Sequence, residues 1–235
     1  MLIERYLFQP PPAIPCGGFT LSADCGHTFK AQLHQGSKRE VILYAHGNAD
    51  DLVTAAPMAK ALTELGYSVM IYDYCGYGDL AQTSPCEACC YACAEASLNY
   101  LFSRWSSQQI VLWGCSLGAG PTSWLAMRYQ VAAVVLQSPF LSVRALVQER
   151  IGRWTKLVGC FERLGFPIVE YAKHIGCPTL VMHGTLDTIV PVSHGQELAD
   201  ITKATRWFPK CDHNDMELDP EFWRIVQQFL KTTLT

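Results

Sequence analysis

The chain has 235 residues, 49% of them hydrophobic, and a net charge of −3, which is enough apolar material for one substantial core. No basic stripe runs along it, so nucleic acid is not the expected partner. No apolar run approaches the roughly 18 residues that span a bilayer, and Glu4 and Arg5 followed by Pro10-Pro11-Pro12 do not make a secretion signal, so a cytoplasmic chain with no transmembrane segment is expected. In chain order, Gly18 to Leu21 and Thr28 to Leu33 are short strand patterns. Val41 to Ala45 is a buried strand that runs into His46-Gly47-Asn48. Asp51 to Leu65 reads as a helix closed by Gly66, followed by the strand Ser68 to Asp73 and the turn Tyr74 to Gly78. Pro85 to Arg104 is a long helix. Ile110 to Trp113 is an apolar strand, Ala119 to Arg128 a helix and Ala132 to Gln137 a further buried strand. Residues 140–176 hold two helical patterns and no strand, and read as a short insertion. Thr179 to His183, Ser193 to Thr202, Thr205 to Phe208 and Pro220 to Leu230 then alternate strand, helix, strand, helix. Such alternation implies an α/β fold, a mostly parallel sheet with helices on both faces, with residues 1–235 forming one domain.

Eleven cysteines without a secretion signal point to reduced thiols rather than a disulfide framework. Cys86, Cys89, Cys90 and Cys93 form two C-x2-C pairs, a metal-like spacing. The same spacing is i, i+3, i+4, i+7, one stripe of a helix, and free cysteine packs as a small hydrophobe. Core packing is the favoured reading, and no resident metal or cofactor is expected.

Chemistry concentrates at Gly114-Cys115-Ser116-Leu117-Gly118. A G-x-S-x-G between a buried strand and a helix is the setting of a nucleophile elbow, with the serine hydroxyl held above the sheet. A serine hydroxyl needs a base, and the base needs a carboxylate to fix its tautomer. Functional groups of a doubly wound sheet sit on loops beyond the carboxyl ends of strands. That rule selects Asp187, after the strand Thr179 to His183, and His213, after Thr205 to Phe208. Asp73, which also ends a strand, is the alternative acid. Asp212 and Asp215 are too close in sequence to His213 to reach its ring, and His46, His183 and His194 read as turn or helix-start residues. The oxyanion donors are expected to be the backbone N–H groups of Leu117 and Asn48.

The set H-G-N-A-x-D at His46 to Asp51, Y-D-Y-x-G-Y-G at Tyr72 to Gly78, G-x-S-x-G at Gly114 to Gly118 and H-G-T-x-D at His183 to Asp187 resembles the α/β-hydrolase superfamily. With Ser193-His194-Gly195 and His213-Asn214-Asp215-Met216-Glu217, it resembles the α/β-hydrolase domain 17 group of protein depalmitoylases over roughly residues 38 to 230. The resemblance implies the α/β-hydrolase fold, with the insertion at about 140–176 as a minimal lid. It also implies a thioesterase or esterase acting on an acylated protein or a small acyl ester through an acyl-enzyme, compatible with peripheral membrane contact. Relatives usually place Ser and Gly after the tyrosine motif, whereas Asp79-Leu80-Ala81 stand here. A small-molecule carboxylesterase and a non-catalytic binding protein on the same fold are the alternatives. Phe140, Leu141, Leu146, Phe161 and Phe166 of the insertion are expected to roof the serine and hold an acyl chain, with plain packing of the insertion onto the sheet as the competing reading.

Overall fold

Strict two-residue alternation in the strands builds two different faces from one sheet. In the computed structural model, which describes residues 7–80, 83–151 and 165–234, Val41, Leu43 and Ala45 of one strand join Leu112 and Met70 on one face. Ile42 and Tyr44 join Val69, Ile71, Val111 and Trp113 on the other. Both sets are buried, which is why these strands read as continuous apolar runs rather than half-polar ones.

The strands are β1 (Phe19–Ser22), β2 (Thr28–His34), β3 (Val41–Ala45), β4 (Ser68–Tyr72), β5 (Ile110–Cys115), β6 (Ala133–Gln137), β7 (Thr179–Met182) and β8 (Thr205–Trp207). They form one eight-stranded sheet in the order β1-β2-β4-β3-β5-β6-β7-β8. β2 runs antiparallel to both β1 and β4, and β3 through β8 are parallel. The helices are α1 (Leu52–Glu64), α2 (Glu87–Phe102), α3 (Ala119–Arg128), α4 (Val143–Ile151), α5 (Ile168–Ala172), α6 (Val192–Thr202) and α7 (Phe222–Thr233). α1 and α7 cover one face through Leu52, Ala59, Leu62, Phe222 and Val226. α2, α3, α5 and α6 cover the other through Leu98, Leu125, Ile168 and Leu198.

Local chemistry sets the helix ends near the site. Asp51 is the N-cap of α1: its carboxylate accepts from Val53 N and Thr54 N, and Thr54 Oγ1 accepts from Asp51 N in return. Such a box is worth about 1 kcal/mol, and it fixes the chain where it leaves the loop after β3. α2 begins at Glu87 rather than Pro85, because the thiol of Cys86 caps it by accepting from Cys89 N. Among the described residues, no helix is long and apolar enough to cross a membrane.

Candidate active site

Strand order reverses between β3 and β5: the chain moves outward from β3 to β4, then returns to β5 and continues the other way. The loops leaving β3 and β5 therefore diverge, and a crevice opens between them. Register puts Ala45 beside Gly114, so His46-Gly47-Asn48 and Ser116 emerge on the two sides of that crevice.

Ser116 follows β5 directly and holds a left-handed backbone, φ 49°, a conformation that costs a non-glycine residue on the order of 1–3 kcal/mol. The neighbours of the elbow absorb no side chain. A Cβ on Gly118 would stand 2.0 Å from Ala45 O, and one on Gly114 would stand 2.4 Å from Gly118 O. Those two glycines let β5 turn into α3 against β3 and hold the hydroxyl above the sheet.

The structure brings the three sequence-selected side chains into one line. His213 Nε2 lies 3.0 Å from Ser116 Oγ, and His213 Nδ1 lies 2.6 Å from Asp187 Oδ2. A carboxylate oxygen can only accept, so Nδ1 carries the proton and Nε2 presents its lone pair to the serine hydroxyl. The other oxygen of Asp187, Oδ1, accepts from Ile189 N at 2.8 Å and Val190 N at 2.7 Å. Burial pushes the Asp187 carboxyl up, but hydrogen bonds from His183, His213 and Val190 N–H outweigh it and hold the group well below the usual carboxylate range.

His183, read from the sequence as a turn residue, supports the acid. Its Nε2 lies 2.9 Å from Val190 O and 3.1 Å from Asp187 Oδ2. Both neighbours are acceptors, so Nε2 carries the proton and braces the same carboxylate oxygen that His213 meets. The i, i+4 spacing in His183-Gly184-Thr185-Leu186-Asp187 was the available signal. Asp212 ties the two loops together, its Oδ1 accepting from His213 N and Thr188 N, both at 2.8 Å. The alternative acid Asp73 faces elsewhere, accepting from Leu52 N at 3.0 Å and lying 3.6 Å from His46 Nε2. His194 holds the insertion instead, accepting from Leu141 N through Nδ1 and meeting Glu149 at 2.9 Å through Nε2.

Of the two expected oxyanion donors, Leu117 opens the turn after Ser116, where first-turn N–H groups have no partner earlier in the helix. Asn48 shares the cleft wall with Ser116, and its side chain is fully engaged in holding its loop. Oδ1 accepts from Gln9 N at 3.0 Å and Tyr77 Oη at 2.7 Å, while Nδ2 donates to Leu7 O at 2.6 Å. Cys115 neighbours Ser116, but burial and the charges of Glu217 and Asp50 push its thiol far above the ordinary value. It offers no competing thiolate.

The cleft at Ser116 has a volume of about 630 Å³, a size that suits a drug-sized ligand. Its apolar wall is Pro57 and Met58 of α1, Trp223 of α7 and Ile189, and Asp50, Gln137 and Glu217 supply polar groups. No described residue of the insertion lines this cleft, contrary to the expectation that Phe140, Leu141, Leu146 and Phe166 roof the serine. Phe140 and Phe166 are buried in the core on the α2–α3 face, and Leu141 and Leu146 pack against the same cluster. Phe161 lies outside the described residues. The physical reason is a slot on α3: a Cβ on Gly120 would stand 2.2 Å from the Phe166 ring, so the missing side chain admits that ring. Tyr91, Phe8 and Phe140 then close around it. Glu87 secures the same end by accepting from Phe166 N at 2.6 Å.

A family model described as serine aminopeptidase, S33 (Hydrolase_4) matches residues 36–167, more than half of the chain. The chain belongs to the α/β-hydrolase family. As such a hydrolase, it is 34% identical over 205 residues to α/β-hydrolase domain-containing protein 17C of Xenopus tropicalis, covering 83% of this chain and 63% of that protein. It is 34% identical over 207 residues to human α/β-hydrolase domain-containing protein 17C, covering 84% and 60%. The chain thus spans somewhat under two thirds of the length of these relatives. Among solved structures, the Pyrococcus furiosus esterase Pf2001 superposes with a TM-score of 0.79 at 17% identity, over 97% of this hydrolase and 100% of that chain. The Exiguobacterium antarcticum esterase gives 0.67 at 15% identity, over 91% and 99%. At such identities the likeness concerns the fold alone.

Proposed function

We propose that this hydrolase cleaves acyl thioesters or esters by a serine mechanism, with a fatty-acylated protein cysteine as the favoured substrate class. The observation that carries the proposal is the hydrogen-bonded line from Ser116 through His213 to Asp187 at 3.0 and 2.6 Å, opening into a cleft with an apolar wall. In this reading His213 Nε2 removes the hydroxyl proton as Ser116 Oγ attacks the acyl carbonyl. Asp187 keeps the imidazole in the tautomer that allows this and stabilises the imidazolium. The N–H groups of Leu117 and Asn48 receive the developing oxyanion. His213 then returns the proton to the departing thiol or alcohol, and water attacks the acyl-enzyme by the same route in reverse. The acyl chain lies along Pro57, Met58 and Trp223, and the preference for thioesters follows from the resemblance of the chain's motifs to the domain 17 group of depalmitoylases.

The test has two stages. A fluorophosphonate probe is expected to label the wild-type chain and not Ser116→Ala. A chain-length series of acyl thioesters matched with oxygen esters then reads the leaving group and the acyl length. The proposal expects kcat/KM to rise with chain length and to favour thioesters. A preference for short oxygen esters would assign a small-molecule carboxylesterase, and a folded chain that no probe labels would leave only a binding protein on this fold.

A further inference from the structure

Five cysteines that the proposed reaction does not use meet at one place. Cys25 comes from the turn between β1 and β2, Cys75 from the loop after β4, and Cys86, Cys89 and Cys93 from the cap and first two turns of α2. Cys25 and Cys75 sulfurs are 3.7 Å apart, Cys75 and Cys93 3.2 Å, and Cys86 and Cys89 2.8 Å. The Sγ atoms of Cys25, Cys75 and Cys89 all lie within 4.8 Å of one another. All five are free thiols.

Packing accounts for the helix stripe but not for this convergence. Cys90 and Cys93 are fully buried and Cys89 nearly so, as a buried stripe requires. Cys25 is the most exposed of the five, and its sulfur nonetheless turns in to lie 3.7 Å from that of Cys75. Three thiols from three separate elements, one of them at the surface, have the form of a ligand set with an entry path.

We propose that Cys25, Cys75 and Cys89 form a binding site for a thiophilic closed-shell cation, Zn²⁺ or Cu⁺. Thiolates select these ions over hard cations. With metal–sulfur bonds of about 2.3 Å, two ligands of a tetrahedral ion stand roughly 3.8 Å apart and those of a trigonal ion about 4.0 Å, close to the Cys25–Cys75 separation. Cys86 and Cys93 are too near Cys89 and Cys75 to share the same ion as ligands. Their S–H groups point hydrogen bonds at the two ligating sulfurs instead, the support that metal ligands commonly receive from a surrounding shell. Binding converts three thiols to thiolates, so Zn²⁺ plus three R–SH gives a tris-thiolate complex of charge −1 and three H⁺, and Cu⁺ gives one of charge −2 and three H⁺. Cys75 sits two residues before Tyr77, whose hydroxyl donates to Asn48. An ion here would therefore also stiffen the loop that backs the expected oxyanion donor.

The experiment titrates the reduced, chelator-stripped chain with Zn²⁺ and, in a separate anaerobic arm, with Cu⁺ against a competing chelator. The readouts are bound metal per chain, Tm and the number of thiols open to a disulfide reagent. About one ion per chain is expected in at least one arm, with the exposed Cys25 thiol protected and Tm raised. Cys25→Ser, a change in an exposed turn, should weaken uptake by on the order of a hundredfold. Cys89→Ser should do the same and abolish protection of Cys25, and Cys177→Ser, outside the cluster, should change nothing. Failure of the folded chain to take up either ion, or uptake unchanged by Cys25→Ser, overturns the site. None of these readouts depends on hydrolysis.

Discussion

The two sides of the crevice hold their functional groups by different means. On the β7–β8 side a charge is fixed: Asp187 receives four hydrogen bonds, from Ile189 N, Val190 N, His183 and His213. On the β3–β4 side a neutral side chain is fixed: Asn48 is held by Gln9, Leu7 and Tyr77. Hydrogen bonds to an ionised group are roughly twice as strong as neutral ones. One side thus sets the orientation of the His213 imidazole rigidly, and the other sets the position of a backbone dipole more softly. Removing charge on the first side should alter the chemical step by orders of magnitude, whereas loosening the second should cost far less.

Asp187→Asn should give the largest effect, a fall of about 10⁴ in kcat with KM little changed, because the amide lets the imidazole adopt the wrong tautomer. Steady-state kinetics on an acyl thioester check this. The same variant separates the charged side from the neutral one through pH. The folded-state carboxyl of Asp187 lies below its unfolded value of about 3.9, so the unfolded chain binds more protons in the interval between the two. The stabilisation is complete above about pH 4 and is lost as pH falls towards the folded value. Asp187→Asn should therefore flatten the decline of Tm between about pH 4 and pH 2, and an unchanged decline would show that the charge is not held as described.

His183→Phe keeps a ring in the buried space but removes the N–H shared by Asp187 and Val190 O. A loss of about tenfold to a hundredfold in kcat is expected, the range over which outer supports act. Because Asp187 loses a donor that favours its charged form, the decline of Tm below about pH 4 should also be shallower than in the wild type. A purely structural role would lower Tm and leave that slope unchanged. Asn48→Ala retains the backbone N–H and loses three tethers, so kcat should fall about tenfold, less than the 10²–10³ that removal of an oxyanion donor costs. Tyr77→Phe deletes one neutral hydrogen bond and should cost about 1 kcal/mol of stability by denaturant titration, with kcat reduced only a few-fold.

The sheet is largely legible in the sequence because its parallel strands are buried on both faces and appear as unbroken apolar runs, with Gly66 and Gly118 marking turns. The convergence of Ser116, Asp187 and His213 is equally legible, since each lies on the loop beyond a strand's carboxyl end. What periodicity does not supply is the direction in which the flanking elements face. Trp223 and Met58 line the cleft because α7 and α1 cross the face beside Ser116, and no local pattern distinguishes a cleft-facing position on a helix from a core-facing one. An apolar insertion suggests Phe166 over the serine, yet its true place depends on a single absent side chain at Gly120, forty-six residues earlier. The brace from His183 leaves only a faint trace, the i, i+4 spacing to Asp187, because a histidine before a glycine looks the same whether it shapes a turn or holds a carboxylate. Convergence of Cys25 and Cys75 on α2 arises only from strand pairing, which the spacing of the helix cysteines does not encode.

Trapping the covalent intermediate would show the Ser116 chemistry itself. The chain is mixed with an excess of acyl thioester, quenched in acid within the first turnovers and mapped by peptide mass spectrometry. The acyl mass is expected on the peptide bearing Ser116, cleared from the wild-type chain as substrate runs out and absent from Ser116→Ala. Sustained hydrolysis with no adduct on that peptide, or with the acyl group on another residue, would contradict a serine mechanism at this site.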